Sequence, residues 1–323
     1  IAVSILGKDG SDHHEVHYHD VGDYLNREQK LLVLTEAKTI ENIEWTTIIP
    51  DKNNDWINQR DENYENYIPL FGEEKSIFNE KLNGINTSRD YWVYGFNKNQ
   101  TKTNVLKMVD NYNSELLRKK KELDFKLNEE PTFVNWSRAL RGNFDKGREI
   151  TADVSSIVLS QYRPFTKKWV FYDKQVIEMP GRFDSYKLKV NPKFLVTTGL
   201  GTKRDYSILL IQNLPNFHVM DTAGIYPLEK SQDGMFEVSE INAQFGLSEE
   251  DTLYYIYGVT HQKNFLEKYD NDLRKAIARI PLLKNKEKFV EIGRRLADLH
   301  LNYEHQLSWE GVTVSGEDSG NFK

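Results

Sequence analysis

Residues 160–173 read SQYRPFTKKWVFYD. The run interleaves aromatics and β-branched residues with one proline and three cations, Arg163, Lys167 and Lys168. A core strand has no use for three ionised side chains, which are rarely buried unless paired. The pattern predicts a hairpin. Val170, Phe171 and their alternating neighbours point inward, Pro164 fixes the turn, and the cations sit where the strands bend toward solvent. Two roles stay open at this point, an unusual structural hairpin and a surface that holds a polyanion. Trp169, Phe171 and Tyr172 read as core packing rather than as base-stacking groups.

The text around this stretch has the same character. SSIVLSQYRPF, KWVFYD, YKLKV, KFLVTTG and YSILLIQ, all within residues 150–228, are short β-favouring runs separated by Gly, Pro, Asn and Asp. The chain then turns helical: DTLYYIYGVTHQ, NFLEKYDNDLRKAIARI and KFVEIGRRLADLHLNYEHQ all have helical spacing, and Pro281 stops the second. The tail, GVTVSGEDSGNFK, reads as loose. Upstream, Val105, Val109, Tyr112, Leu116 and Leu123 recur at spacings of 4, 3, 4 and 7, which predicts an amphipathic helix over 102–127. LNGINTSRDYWVYGF (82–96) predicts a turn and an aromatic strand. Ile48 to Gly84 reads as a polar connector, REQKLLVLTEA as a helix, and the first 25 residues as a hairpin of IAVSIL with EVHYHDV. The fold class is therefore α+β, a β-rich part with long supporting helices.

Composition narrows the function. The chain has 323 residues, 38% hydrophobic and 12% aromatic, enough for a packed core and for about two domains. No run approaches the ~20 apolar residues of a membrane span. It opens inside an apolar strand, as a fragment of a longer polypeptide would. Zero Cys fits a reducing cytoplasm. The net charge of −6 hides an asymmetry: residues 1–70 carry 6 Lys/Arg against 14 Asp/Glu, and residues 131–210 carry 14 against 7. A sign change between segments suggests polyanion binding by the basic one; uneven solvation is the alternative.

Three motifs need weighing. HHEVHYH (13–19) places His17 and His19 on one strand face, but no carboxylate set accompanies them, so it reads as a solvent-facing strand rather than a metal site. GLGTKRD (199–205) is not a phosphate loop, because strand-like text lies on both sides where a helix is required. It reads as a hairpin tip that presents Lys203 and Arg204, either to a ligand or to solvent. NWSRALRGNFDKGRE (135–149) gathers Arg138, Arg141, Lys146 and Arg148, with the first two on one helix face. It suits phosphate contacts or a charged helix and turn. Arg89 reads as a structural ion-pair partner of the adjoining Asp90. No catalytic constellation is present.

Several blocks taken in order carry a resemblance. They are IAVSIL (1–6), GINTSRDYWVYGF (84–96), NWSRAL (135–140), YRPFTKKWVFYD (162–173), GLGTKRDYS (199–207), FHVMDTAGIYPL (217–228), YYIYGVTHQKNFLEKY (254–269), ARIPLL (278–283) and GRRLADLHLNYE (293–304). This order resembles the C-terminal part of single-polypeptide type I (type ISP) restriction-modification enzymes. The resemblance implies a methyltransferase remnant and connector over 1–70, beginning with the β-hairpin that ends the methyltransferase sheet. It further implies a helical connector over 71–130, a DNA target-recognition core over 131–260, and C-terminal helices with a loose tail over 261–323. It implies sequence-specific binding of double-stranded DNA, with Arg163, Lys167, Lys168, Lys203, Arg204, Arg138, Arg141, Lys146 and Arg148 as candidate contacts. S-adenosylmethionine, ATP and Mg would belong to upstream methyltransferase, translocase and nuclease domains of the same polypeptide, and none to this chain. The competing expectation is a β-rich protein- or glycan-binding module without DNA binding.

Overall fold

The computed structural model describes residues 5–8, 10–12, 14–22, 24–73, 75–184, 186, 192–228, 244–307 and 310–312. The chain divides into two compact units, Ile1–Glu62 and Asn63–Lys323. In the first, β1 (Val16–Tyr18) pairs antiparallel with β2 (Thr46–Ile48), Val16 opposite Ile48. Between them lies α1 (Arg27–Ala37). Asn26 accepts from the Gln29 amide while the Gln29 side chain accepts from the Asn26 amide, a reciprocal cap that fixes the helix start. Most of the strand expected over IAVSIL lies outside the described residues. The described partner of EVHYHDV is β2.

The second unit contains β3 (Ile68–Pro69), α2 (Asp90–Val93), β4 (Tyr94–Gly95), α3 (Lys98–Lys121) and α4 (Arg138–Asp145). Then follow β5 (Ile157–Arg163), β6 (Thr166–Phe171), β7 (Phe194–Thr197), β8 (Ile208–Ile211), β9 (Leu214–Pro215) and β10 (Gly224–Pro227). The chain closes with α5 (Glu249–Thr260), α6 (Lys263–Lys268), α7 (Asp270–Lys275), β11 (Arg279–Ile280) and α8 (Lys286–Leu301). A four-stranded sheet has the order β4-β6-β5-β9, and a three-stranded sheet the order β10-β7-β8. No helix of the described residues is long and apolar enough to cross a membrane.

The three-stranded sheet separates two cores. Phe194, Val196, Leu209 and Ile211 face one that holds α3 and α4. Leu195, Ile208 and Leu210 face the other, built with α5 and α8. Successive strand residues point to opposite faces, so a sheet covered on both is apolar almost throughout, as ILLI and the first three residues of FLVT are. The second core also takes Tyr64, Leu70, Ile77 and Phe78, so the supposed polar connector contributes core. The segments expected over 71–130, 131–260 and 261–323 share these cores within one unit.

Other boundaries differ from expectation for local reasons. The long helix starts earlier, because the Asn97 side chain accepts from the Asn99 and Gln100 amides. It stops at Lys121, leaving Leu123 fully exposed. Part of the expected aromatic strand is α2. The helix expected over NFLEKYDNDLRKAIARI breaks into α6 and α7, and Arg279–Ile280 extends to pair with β3. Residues 187–190 of YKLKV and most of the tail lie outside the described residues.

Candidate nucleic-acid interface

Pro164 and Phe165 join β5 to β6, with Phe165 at φ +55° closing the turn. The register shifts between Gln161 and Arg163, a bulge that turns Tyr162 out of the ladder. Lys167 and Lys168 are strand neighbours and so point to opposite faces. Lys167 pairs with Glu304 at 2.6 Å and lies 5.1 Å from the Tyr303 ring. Phe165 meets His300 and Tyr303 edge-on. That face of the hairpin is therefore occupied by the end of α8 and the turn after it.

The other face carries a fixed pair of cations. The Arg163 guanidinium lies 4.2 Å from the Tyr162 ring centroid, and the Lys168 ammonium lies 3.9 Å from it. Lys168 also sits 4.8 Å from the half-exposed Phe96 ring. Arg163 Nη1 donates to the Tyr162 carbonyl and, at 3.0 Å, to Asn216 Oδ1. Asn216 is buried, and its Nδ2 donates to the Tyr94 hydroxyl at 3.2 Å. The Tyr94 hydroxyl also lies 3.3 Å from Ser160 Oγ, which donates to the Leu214 carbonyl. Tyr162 donates to Asp90 Oδ2 at 2.8 Å, and Thr87 donates to the other Asp90 oxygen. Each support is itself supported, so the cations hold their geometry without a ligand.

Two cations share one nearby carboxylate. Burial holds the Lys168 ammonium below the usual lysine range; the adjacent Arg163 adds to this, and Asp90 opposes it. Burial and its bond to Asp90 raise the Tyr162 phenol. Both cations pack on the one Tyr162 ring, and a phosphate oxygen suits either donor.

The remaining candidates occupy other edges. Arg138, Arg141, Lys146 and Arg148 are exposed on and just after α4. Arg141 pairs with Glu129 at 2.7 Å, and Arg148 donates to Asn143 at 3.3 Å. Arg138 and Lys146 have no side-chain partner among the described residues. Lys203 and Arg204 project from the loop between β7 and β8, with Arg204 Nε 3.8 Å from Asp221. Neither group makes a hydrogen bond, ion pair or ring contact with the Tyr162 cluster among the described residues. The basic end of α3 is largely neutralised: Arg118 pairs with Glu115 and Glu122, Lys119 with Asp145, and Lys120 with Glu149.

Arg89 is structural, through partners the sequence does not reveal. It is 1% exposed, and it donates to the Asn135 carbonyl at 3.1 Å and to Ser137 Oγ. Ser137 donates in turn to Glu178, which accepts the Ala139 amide at 3.2 Å. A distant carboxylate thus caps α4 in place of Ser137. Burial lowers Arg89 to about 10, and Glu178 opposes that shift. Asp90 instead serves Tyr162. Sequence reasoning also missed Asn216, which no motif marks.

The two-core α+β unit thus carries a braced cation pair and further basic edges. The chain matches the family model described as Type ISP C-terminal specificity domain over residues 76–322, and it belongs to that family. It is similar to the structure of a nuclease-deletion mutant of the Type ISP restriction-modification enzyme LlaGI in complex with a DNA substrate mimic. There the identity is 42% and the TM-score 0.80, over 94% of this chain and 25% of that one. It is also similar to the ATP-dependent Type ISP enzyme LlaBIII bound to DNA, at 29% identity and TM-score 0.77, over 92% of this chain and 21% of that one. A DrdV–DNA complex shares the fold at 24% identity and TM-score 0.75, over 90% of this chain and 31% of that one. The chain thus spans about a quarter of the length of the first of these. No curated protein matches it.

Proposed function

We propose that this chain recognises a duplex DNA target as the specificity part of an ATP-dependent restriction-modification enzyme that methylates adenine N6 or cleaves DNA. The observation that carries the reading is its 42% identity, over 94% of its length, to an enzyme solved on a DNA substrate mimic. Arg163 and Lys168 each offer a cation to the DNA backbone. Arg138, Lys146, Arg148, Lys203 and Arg204 add exposed charge, while Lys167 and Arg141 reach DNA only by giving up Glu304 and Glu129. Phosphate contacts of this kind supply affinity and register, and base contacts supply sequence preference. S-adenosylmethionine, ATP and Mg belong to upstream methyltransferase, translocase and nuclease domains of a longer cytoplasmic polypeptide.

The test is titration of labelled random-sequence duplex at roughly 50 to 200 mM salt. The expected result is binding whose log affinity falls linearly with log salt, by about 0.9 for each phosphate contacted. Absence of binding even at the lowest salt would overturn the reading in favour of a protein- or glycan-binding module.

A further inference from the structure

Tyr206 carries a buried hydroxyl that has no hydrogen-bond partner among the described residues. The residue is 9% exposed, and its ring packs in the second core with Ile208 and Tyr226. Burial first, then the nearby phenols of Tyr226 and Tyr64, push the Tyr206 phenol well above its usual range. It therefore stays protonated and keeps a proton to donate. Buried donors without a partner are rare in folded proteins, and each one needs a cause.

Tyr206 lines a small cavity between the three-stranded sheet and the segment from α7 to β11. The sheet contributes Thr197 of β7 with Gly224 and Tyr226 of β10. The facing wall, from Leu273 to Ala278, is apolar. Gly199 and the exposed Leu200, at the root of the glycine-rich tip, line the outer side.

Lys81 completes the lining. Leu82 and Ile225 exchange backbone hydrogen bonds at 2.7 and 3.3 Å, which holds Lys81 alongside β10. A Cβ at Gly224 would lie 3.2 Å from Lys81 Cε, 3.2 Å from the Tyr226 hydroxyl and 3.0 Å from Thr197 Oγ1. Three polar side chains thus converge on the space that this glycine leaves. Thr197 is hydrogen-bonded to Tyr226. Lys81 is half-buried and has no carboxylate partner among the described residues; the adjoining Glu80 pairs with Arg182 at 3.2 Å. No Asp or Glu lines the cavity.

One cation and several hydroxyls, with no acidic group, suit an oxyanion. The enclosed volume is about 20 Å³, room for one oxygen-sized group. One oxygen of the ligand would sit inside against Tyr206, and the others outside toward Lys81. We propose that Lys81 and Tyr206, with Thr197 and Tyr226, form a binding site for a single phosphate-type oxyanion at the root of the glycine-rich tip. Free phosphate and a non-bridging oxygen of the duplex backbone both offer that chemistry. The site stands independently of the DNA reading.

The test is thermal unfolding of the full chain during titration with inorganic phosphate, with sodium chloride holding the ionic strength constant. The variants are Tyr206→Phe, which removes only the hydroxyl, and Lys81→Met, which keeps most of the stem and removes the charge. Without phosphate, Tyr206→Phe should unfold at or above the wild-type temperature, since the hydroxyl it removes has no partner. With phosphate, the wild-type unfolding temperature should rise with the logarithm of concentration. Each variant should need about tenfold more phosphate or beyond for the same rise. If the wild type gains no more than the variants, the rise is only the general stabilising action of phosphate, and the site is overturned. Salt titrations of the same proteins on a short duplex then identify the source. A slope shallower by about 0.9 for Lys81→Met assigns the oxyanion to the DNA backbone, and unchanged slopes assign it to free phosphate.

Discussion

Lys167 and Lys168 are adjacent in sequence, yet the structure assigns them opposite behaviour in one assay. Lys168→Met keeps most of the aliphatic stem and removes the charge. Without the ammonium 3.9 Å from the Tyr162 ring, the fold forgoes a cation–π interaction of about 0.5–2 kcal/mol. Release of a half-buried ammonium from burial and from Arg163 offsets this. The net change in stability should stay within about 1 kcal/mol. Binding should change much more clearly. When one phosphate is no longer neutralised, the slope of log affinity against log salt becomes shallower by about 0.9, so that single phosphate accounts for about 3.5-fold between roughly 50 and 200 mM salt. Lys167→Met removes a cation already neutralised by Glu304, 15% exposed, and should cost about 1 kcal/mol of stability with no change in slope. Fluorescence anisotropy on a short duplex at four salt concentrations measures both slopes, and urea melts measure both stabilities. A shallower slope for Lys167→Met with an unchanged one for Lys168→Met would refute the assignment of faces.

Two further outcomes follow from buried groups. Arg89→Met strips Ser137 and the Asn135 carbonyl of their buried donor, which should cost about 2–3 kcal/mol in a urea melt; a decrease below about 1 kcal/mol would show that α4 is held without it. His300 is held below the usual histidine range by burial first and by His261 second, and His261 is lowered chiefly by burial. Because both are lowered in the fold, on acidification the unfolded chain takes up protons first. Their contribution is complete above about pH 6.5 and is lost as pH falls below it. The denaturation midpoint should drop between about pH 7.5 and 5.5, and His300→Gln should flatten that drop; an equally steep drop in the variant would sink the account.

The strand text of 155–212 was legible because a sheet buried on both faces is apolar almost throughout, as ILLI and the first three residues of FLVT are. The hairpin at Pro164 was legible from turn chemistry, and the heptad-like stripe of α3 from its period, since Val105, Val109, Tyr112 and Leu116 are all buried. The polar stretch 48–84 hid its core residues because Tyr64, Leu70, Ile77 and Phe78 are spaced without a period. They pack against elements about two hundred positions away, as Ile68 does with Ile280.

The candidate site divides in the same way. Its residue types and basic excess are properties of the sequence. Which cation is spent on a carboxylate and which is braced with charge to spare depends on partners far along the chain: Glu304 for Lys167, Asn216 for Arg163, Asp90 for the Tyr162 that carries Lys168. Local spacing sets secondary structure through the backbone. Charge neutralisation acts over a few ångströms of space, so only the packed chain decides which cations remain for a ligand.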